Sequence, residues 1–161
     1  MTQWLTADQQ VHWRAYIAAT TLLAEKLNRE MQAAHGLTMA DYEILVRLSE
    51  TPDRRLRMSA LAEFTLASRS RLSHQIDRLE KVGLVVREPC ESDKRGANAV
   101  LTELGWETLV AAAPTHVAGV REHLVDRLTA EQFAALGDAC DVVAAHLLDT
   151  TAPDCESSEA V

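Results

Sequence analysis

Several protein classes are excluded by what this chain of 161 residues lacks. Its three cysteines, Cys90, Cys140 and Cys155, are too few and too scattered for a disulfide framework. No apolar run approaches the roughly 18 residues needed to span a bilayer. The opening MTQWLTADQQ has neither the basic nor the apolar region of a secretory signal. A cytoplasmic protein with reduced thiols, and no membrane partner, is the expectation. Glycine-rich phosphate loops, nucleophile elbows and paired metal motifs are all missing, so nothing speaks for an enzyme or a cofactor. His116 and His123 share a helix face, with Glu122 and His146 as further candidates, but no tight pair such as H-x-x-x-H or C-x-x-C is present and no metal is expected. There is no internal repeat.

What is present is a composition of 47% hydrophobic and 25% charged residues, ordinary for a globular protein. The length suits one domain, or a compact core with extensions. The net charge of −8 hides an asymmetry. Ten of the sixteen basic residues lie between Arg54 and Arg95, alongside six acids, so that window is +4 and the remainder −12. A basic face on an acidic body is what nucleic-acid binding needs, although a solvated basic helix face has the same composition.

Spacing divides the chain into elements. Thr6 or Asp8 opens a long helix to about Ala34, ended by His35-Gly36. Thr38 and Asp41 form a capping box for a second helix with Tyr42, Leu45 and Leu48 as its stripe, closed by Pro52-Asp53. Ser59 is a candidate N-cap for a short helix carrying Leu61, Ala62 and Phe64. After a brief TLAS connection, Ser68 caps RSRLSHQIDRLEKVG, with Leu72, Ile76 and Leu79 inward and Gly83 as the stop. A short helix, a tight turn and a longer helix with a basic outer face make a helix-turn-helix. The period then becomes strand-like. Residues 84–88 (LVVRE) and 98–102 (NAVLT) flank about nine loop residues, giving a hairpin with a long tip, a wing. Thr102 starts a further helix to about Arg127, with Pro114 as a kink. Thr129 and Gln132 then open a last helix whose stripe is Phe133, Leu136, Cys140, Val143 and Leu147. From Thr150 the acidic TTAPDCESSEAV reads as a disordered tail. The expected fold is mainly α with a small β-hairpin wing. Residues 37–101 would form the winged helix-turn-helix, 1–36 and 102–149 helical regions on either side of it, which the resemblance given next assigns to dimerisation, and 150–161 the tail.

This order of elements resembles the MarR family of bacterial transcriptional regulators over roughly residues 6 to 149. The likeness rests most on RLEKVGLVVREPCESDKRGANAVLTELG. Arg78 through Val85 match the family's recognition-helix ending, Asp93 and Arg95 its Asp-x-Arg wing element, and Leu101, Thr102 and Gly105 the strand end and following glycine. The resemblance implies a homodimer of interleaved terminal helices that presents two winged helices to a two-fold symmetric operator in double-stranded DNA.

Within that frame Arg95 is assigned to the minor groove, where a narrow groove concentrates negative potential, with Asp93 holding its guanidinium. Gly96 turns the tip and Lys94 reaches a phosphate. On the recognition helix the candidates for the major groove are Ser68, Arg69, Ser70, Arg71, His74, Gln75 and Arg78, since Arg reads guanine and Gln reads adenine. Ser70, with Thr65 in the preceding turn, suits phosphates. Arg87 adds to the basic surface at the root of the wing. One of the arginines could instead serve Asp77 or Glu80 as an internal ion-pair partner.

Members of the family commonly respond to small aromatic ligands. His12, Trp13 and Tyr16 offer an aromatic wall for such an effector, although the same residues suit a cluster in a dimer interface, the simpler reading. The redox version known among relatives, with a cysteine near the first helix, has no residue here. Cys90 sits beside Arg87 and Lys94, which would lower its thiol pKa in a redox switch, but is read as an exposed, unremarkable thiol, and Cys140 as a small core residue. The expected output is repression. The rival reading is a winged-helix dimer that acts as a protein-interaction module without DNA; the basic side chains at Arg69, Arg71, Arg87, Lys94 and Arg95 speak against it.

Overall fold

The computed structural model describes residues 2–65, 67–90 and 93–149, with the backbone alone at 93–95. The tail expected to be disordered lies outside the described residues. Helix α1 (Ala7–His35) begins at a complete capping box: Thr6 Oγ1 accepts from the Gln9 amide at 3.2 Å, and Gln9 Oε1 accepts from the Thr6 amide at 2.9 Å. It ends at Gly36, whose φ of 67° is the left-handed conformation that glycine adopts without strain. Helix α2 (Met39–Ser49) repeats the device with Thr38 and Asp41.

Past α2, Pro52–Arg54 form a tight 3₁₀ turn. The chain then enters a strand that spacing did not reveal, β1 (Arg55–Arg57). Three residues are too few to show alternation, yet the strand moves the next boundary. Helix α3 (Met58–Phe64) starts one residue before Ser59, so Ser59 lies inside the helix, and Arg57 takes the N-cap position without a side-chain bond. Helix α4 (Arg69–Lys81) follows the turn, and Ser68 does cap it, its Oγ accepting from the Arg71 amide at 3.3 Å.

Strands β2 (Val85–Cys90) and β3 (Asp93–Leu101) extend much further toward the wing tip than the apolar pattern suggested. Backbone pairing, blind to side-chain polarity, carries the ladder through Glu88, Pro89 and Cys90. The register slips between Pro89 and Cys90, with the Lys94–Gly96 stretch carrying the extra residues. The sheet is three-stranded and antiparallel, in the order β1-β3-β2.

Helix α5 (Glu103–His123) runs on through Pro114, and a separate 3₁₀ turn occupies Val125–Arg127, so the expected single helix to Arg127 is shorter than supposed. Its first turn is fixed by Thr102, whose Oγ1 donates to the Gly83 carbonyl (2.7 Å) and accepts from the Gly105 amide (3.0 Å). Gly105 allows α5 to press onto the start of the wing: a Cβ there would stand 2.1 Å from the Leu84 carbonyl oxygen. Helix α6 (Ala130–Asp149) opens at Thr129 and Gln132, as expected.

Residues 1–120 and 121–161 make two compact units. The first holds one hydrophobic core: Met31 of α1, Ile44, Leu45 and Leu48 of α2, Leu61 of α3, Leu72, Ile76 and Leu79 of α4, Val85 and Ala99 of the sheet, and Leu109 and Ala112 of α5. Each large side chain so buried contributes about 1.5–3 kcal/mol. The second unit, taken alone, has no buried residue on α6, so Cys140 is exposed rather than a core residue.

Candidate nucleic-acid interface

The helix-turn-helix is made by α3 and α4. In α4 the buried stripe Leu72, Ile76 and Leu79 anchors the helix to the core, which leaves the polar side chains of the same helix turned away from it. Two sets of polar contacts then fix its flanks. On one flank Arg78 forms an ion pair with Asp41 and lies 3.4 Å from Thr38 Oγ1. Asp41 is almost wholly buried and also accepts from the Thr38 amide (3.0 Å) and hydroxyl (2.7 Å). One carboxylate thus caps α2 and holds the recognition helix.

On the other flank Arg87 of β2 binds α4 at four acceptors. It pairs with Glu80, reaches Asp77 Oδ1 at 2.7 Å, and donates to the carbonyl (3.0 Å) and hydroxyl (3.3 Å) oxygens of Ser73. Its backbone amide donates to Glu80 Oε1 at 2.7 Å. The wing root is therefore stapled to the recognition helix. Across the sheet Arg55 pairs with Glu88 at 2.6 Å, and Arg57 Nη2 lies 3.1 Å from Cys90 Sγ. A cavity of about 480 Å³ between the wing and α4 is lined by Arg57, Arg69 and Arg87 together with Ser73 and Gly96.

Ser68, Arg69, Ser70, Arg71 and His74 are exposed and Gln75 and Thr65 half-buried. Arg69 and Arg71 have no carboxylate partner among the described residues, so the first turn of α4 offers two uncommitted guanidinium groups to an anion. Near the helix N-terminus this is the geometry that meets a phosphate backbone and a major groove. The side chains of Asp93, Lys94 and Arg95 lie outside the described residues, and their strand backbone places them toward the end of the wing.

The comparisons with known proteins agree with this geometry. A family model described as MarR family matches residues 35–96, from the end of α1 to the wing. The crystal structure of AbsC, a MarR family transcriptional regulator from Streptomyces coelicolor, is 51% identical, with a TM-score of 0.86 over 92% of this chain and 99% of AbsC. The chain belongs to the MarR family. A second MarR family regulator from Streptomyces coelicolor, Sco3205, solved in complex with DNA, is 50% identical, with a TM-score of 0.86 over 89% of this chain and 90% of that one. The transcriptional repressor YetL of Bacillus subtilis (strain 168) is 28% identical over 122 residues, 72% of this chain and 73% of YetL. The protein is thus a DNA-binding transcriptional regulator with a winged helix, and its family consists of regulators rather than enzymes.

In this MarR-family chain some of the sequence-derived site residues are brought together and others are engaged elsewhere. Ser68, Arg69, Ser70, Arg71 and His74 share the exposed start of α4. Arg78 and Arg87 are committed to internal ion pairs, Arg78 with Asp41 rather than with the Asp77 or Glu80 that neighbour it in sequence. Sequence reasoning missed Asp41 and Thr38 as holders of the recognition helix, and Arg55 and Arg57 as part of the wing sheet. The capping-box spacing flagged the first pair for another role, and nothing in the local pattern signalled the second.

His12, Trp13 and Tyr16 all lie exposed on α1, with the Trp13 and Tyr16 rings stacked at 6.0 Å. Cys90 is buried, contrary to its reading as an exposed thiol, because β2 continues far enough to carry it under the sheet. Where α5 crosses α2, the His116 ring lies 4.9 Å from that of Tyr42, and burial lowers the His116 pKa and raises that of Tyr42. Among the described residues no three His, Cys, Asp or Glu side chains are grouped to hold a metal ion, and no helix is long and apolar enough to cross a membrane.

Proposed function

We propose that the protein is a repressor that binds a palindromic promoter site as a homodimer. The observation that carries the DNA part is the recognition helix itself, rigidly held on both flanks with Arg69 and Arg71 unpaired among the described residues. Ser68, Ser70 and Thr65 supply short donors for phosphates, Gln75 a side chain for an adenine edge, and Arg95, on the wing with Asp93, Lys94 and Gly96, a cation for the minor groove. Arg78 and Arg87 serve this interface by fixing the position of α4.

Dimerisation is supported by apolar side chains that the single chain leaves in water. Val11, Trp13, Tyr16, Ile17 and Leu22 are exposed on α1, and Phe133, Val143 and Leu147 on α6. Faces of this kind, on the helices flanking the winged-helix segment, are what a second copy covers. Residues 1–36 and 102–149 then form the dimerisation region and 37–101 the DNA-binding region. A small aromatic effector would enter this seam beside His12 and the stacked Trp13–Tyr16 pair, and would act through its different affinities for the DNA-competent and incompetent states. Repression accords with the name of the relative YetL.

Selection from a random duplex pool, followed by titration of the winning duplex at several salt concentrations, tests the reading. The expected result is a two-fold symmetric site, bound by a dimer, with affinity falling as salt rises. Arg95→Ala should weaken binding and flatten the salt dependence by about one phosphate equivalent. A protein that is monomeric at working concentration, or that selects no sequence, would refute it.

A further inference from the structure

The geometry points to His74 as the residue that reads sequence at the centre of the recognition helix, contacting the N7 edge of a purine. This rests on the DNA-binding reading above and deepens it. At about 3.6 residues per turn, the side chains of α4 divide into four directions. Leu72, Ile76 and Leu79 point into the core. Ser73, Asp77 and Glu80 point to the wing root, where Arg87 occupies all three. Arg71, Gln75 and Arg78 lean toward α2: Arg78 is paired with Asp41, while Arg71 and Gln75 line a cleft of about 120 Å³ with Ala40 and Glu43. The direction opposite the core is left to Ser70 and His74, with Lys81 at the far end of the helix.

Of these, Ser70 is short and its hydroxyl lies 3.3 Å from the capping Ser68 Oγ, which ties it to the helix end and to a phosphate. His74 stands one turn further in. Its side chain is 84% exposed, and Nδ1 faces Asp77 Oδ2 at 3.9 Å. That carboxylate lies on the Nδ1 side of the ring, and Nε2 has no partner among the described residues. An imidazole in this place presents one nitrogen to the groove. At 3.9 Å the Asp77 carboxylate makes no hydrogen bond to Nδ1, so the tautomer with its proton on Nε2 is open to the ring. That Nε2–H donates to purine N7, an acceptor on both guanine and adenine where a pyrimidine presents C5–H or the thymine methyl. His74 therefore discriminates purine from pyrimidine at one base pair in each half-site and adds no phosphate contact.

The test compares wild type and His74→Ala in parallel selections from one random duplex pool, followed by titration of the wild-type site and of a scrambled duplex across salt concentrations. The expected result is loss of a purine preference at one symmetry-related pair of positions. Affinity for the selected site should fall by about five- to a hundredfold, the usual cost of one mismatched pair, while affinity for the scrambled duplex and the salt slope stay as they were. An unchanged preference and affinity would overturn the assignment of His74 and leave the operator reading intact. A flatter salt slope with uniform weakening would overturn it too, by making His74 a phosphate contact. If the wild type itself selects no site, the operator reading fails first. Equal helix content and melting temperature of the two proteins exclude a folding defect at this exposed position.

Discussion

Replacing Arg78 with alanine separates two roles that sequence position alone leaves together. If the guanidinium reads DNA, its loss leaves the free protein intact. The structure instead places it on Asp41, which is almost wholly buried, while Arg78 itself is half exposed. Breaking a fully buried pair by removing one partner costs about 3–5 kcal/mol, and an exposed pair contributes at most about 1 kcal/mol. This pair lies between the two, and Asp41 keeps its bonds from Thr38, so Arg78→Ala should cost about 1–2 kcal/mol. For a chain of this size that lowers the melting temperature by about 2–8 °C, read at one fixed protein concentration. Asp41→Asn keeps an oxygen for the α2 cap but removes the charge. In that background Arg78→Ala should cost little, and the cycle should return a coupling of about 1 kcal/mol. Equal melting temperatures for Arg78→Ala and wild type in both backgrounds, with a tenfold or larger loss of DNA affinity, would refute the reasoning and return Arg78 to the duplex.

Two further expectations concern the joints around the winged helix. Gly105→Ala sets a methyl group 2.1 Å from a backbone oxygen that no side-chain rotation can relieve, so α5 must move off the wing root; the cost is about 3 kcal/mol or more, the upper end for overpacking, and a melting curve like that of the wild type would contradict the close approach. His116 gives a pH dependence with a definite sign. Burial lowers its pKa below the ordinary 6.5, so the unfolded chain takes up the proton first as pH falls. Stability is intact above about 6.5 and is lost toward the folded-state value. His116→Phe keeps a ring against Tyr42 and should remove this part of the acid sensitivity; identical slopes of melting temperature against pH between 7.5 and 5.5 would rule it out.

Much of the fold was legible because its boundaries are marked by local chemistry. The Thr6, Thr38, Ser68 and Thr129 caps each act where their spacing indicated, since a helix N-terminus must find acceptors within a few residues of itself. The stripe Leu72, Ile76 and Leu79 was legible for the same reason. Legibility failed where a contact joins distant parts of the chain. Strand β1 exists because β3 offers it a ladder, the wing strands lengthen through polar residues because backbone bonds do not depend on side chains, and Asp41 meets Arg78 across 37 residues. Cys90 and Cys140 were misplaced on the same ground: burial depends on the neighbouring element, and α6 has no buried residue. At the candidate site, residue types identified the surface, and only the structure separated the arginines that hold the helix, Arg78 and Arg87, from Arg69 and Arg71, which have no carboxylate partner among the described residues.

The short strand β1 has a mechanical consequence. It pairs with β3 only at Asn98, Ala99 and Val100, while β2 accompanies β3 onward to the register slip at Cys90. The wing is therefore a cantilever, clamped on both sides at its root and supported on one side beyond it. Bending is easier along the outer part of β3, paired on one side, than at the root, which Arg87 fastens to the recognition helix. Under the operator reading proposed above, a root clamped on both sides lets the protein tolerate variation in the flanks of its operators while remaining strict about their centres.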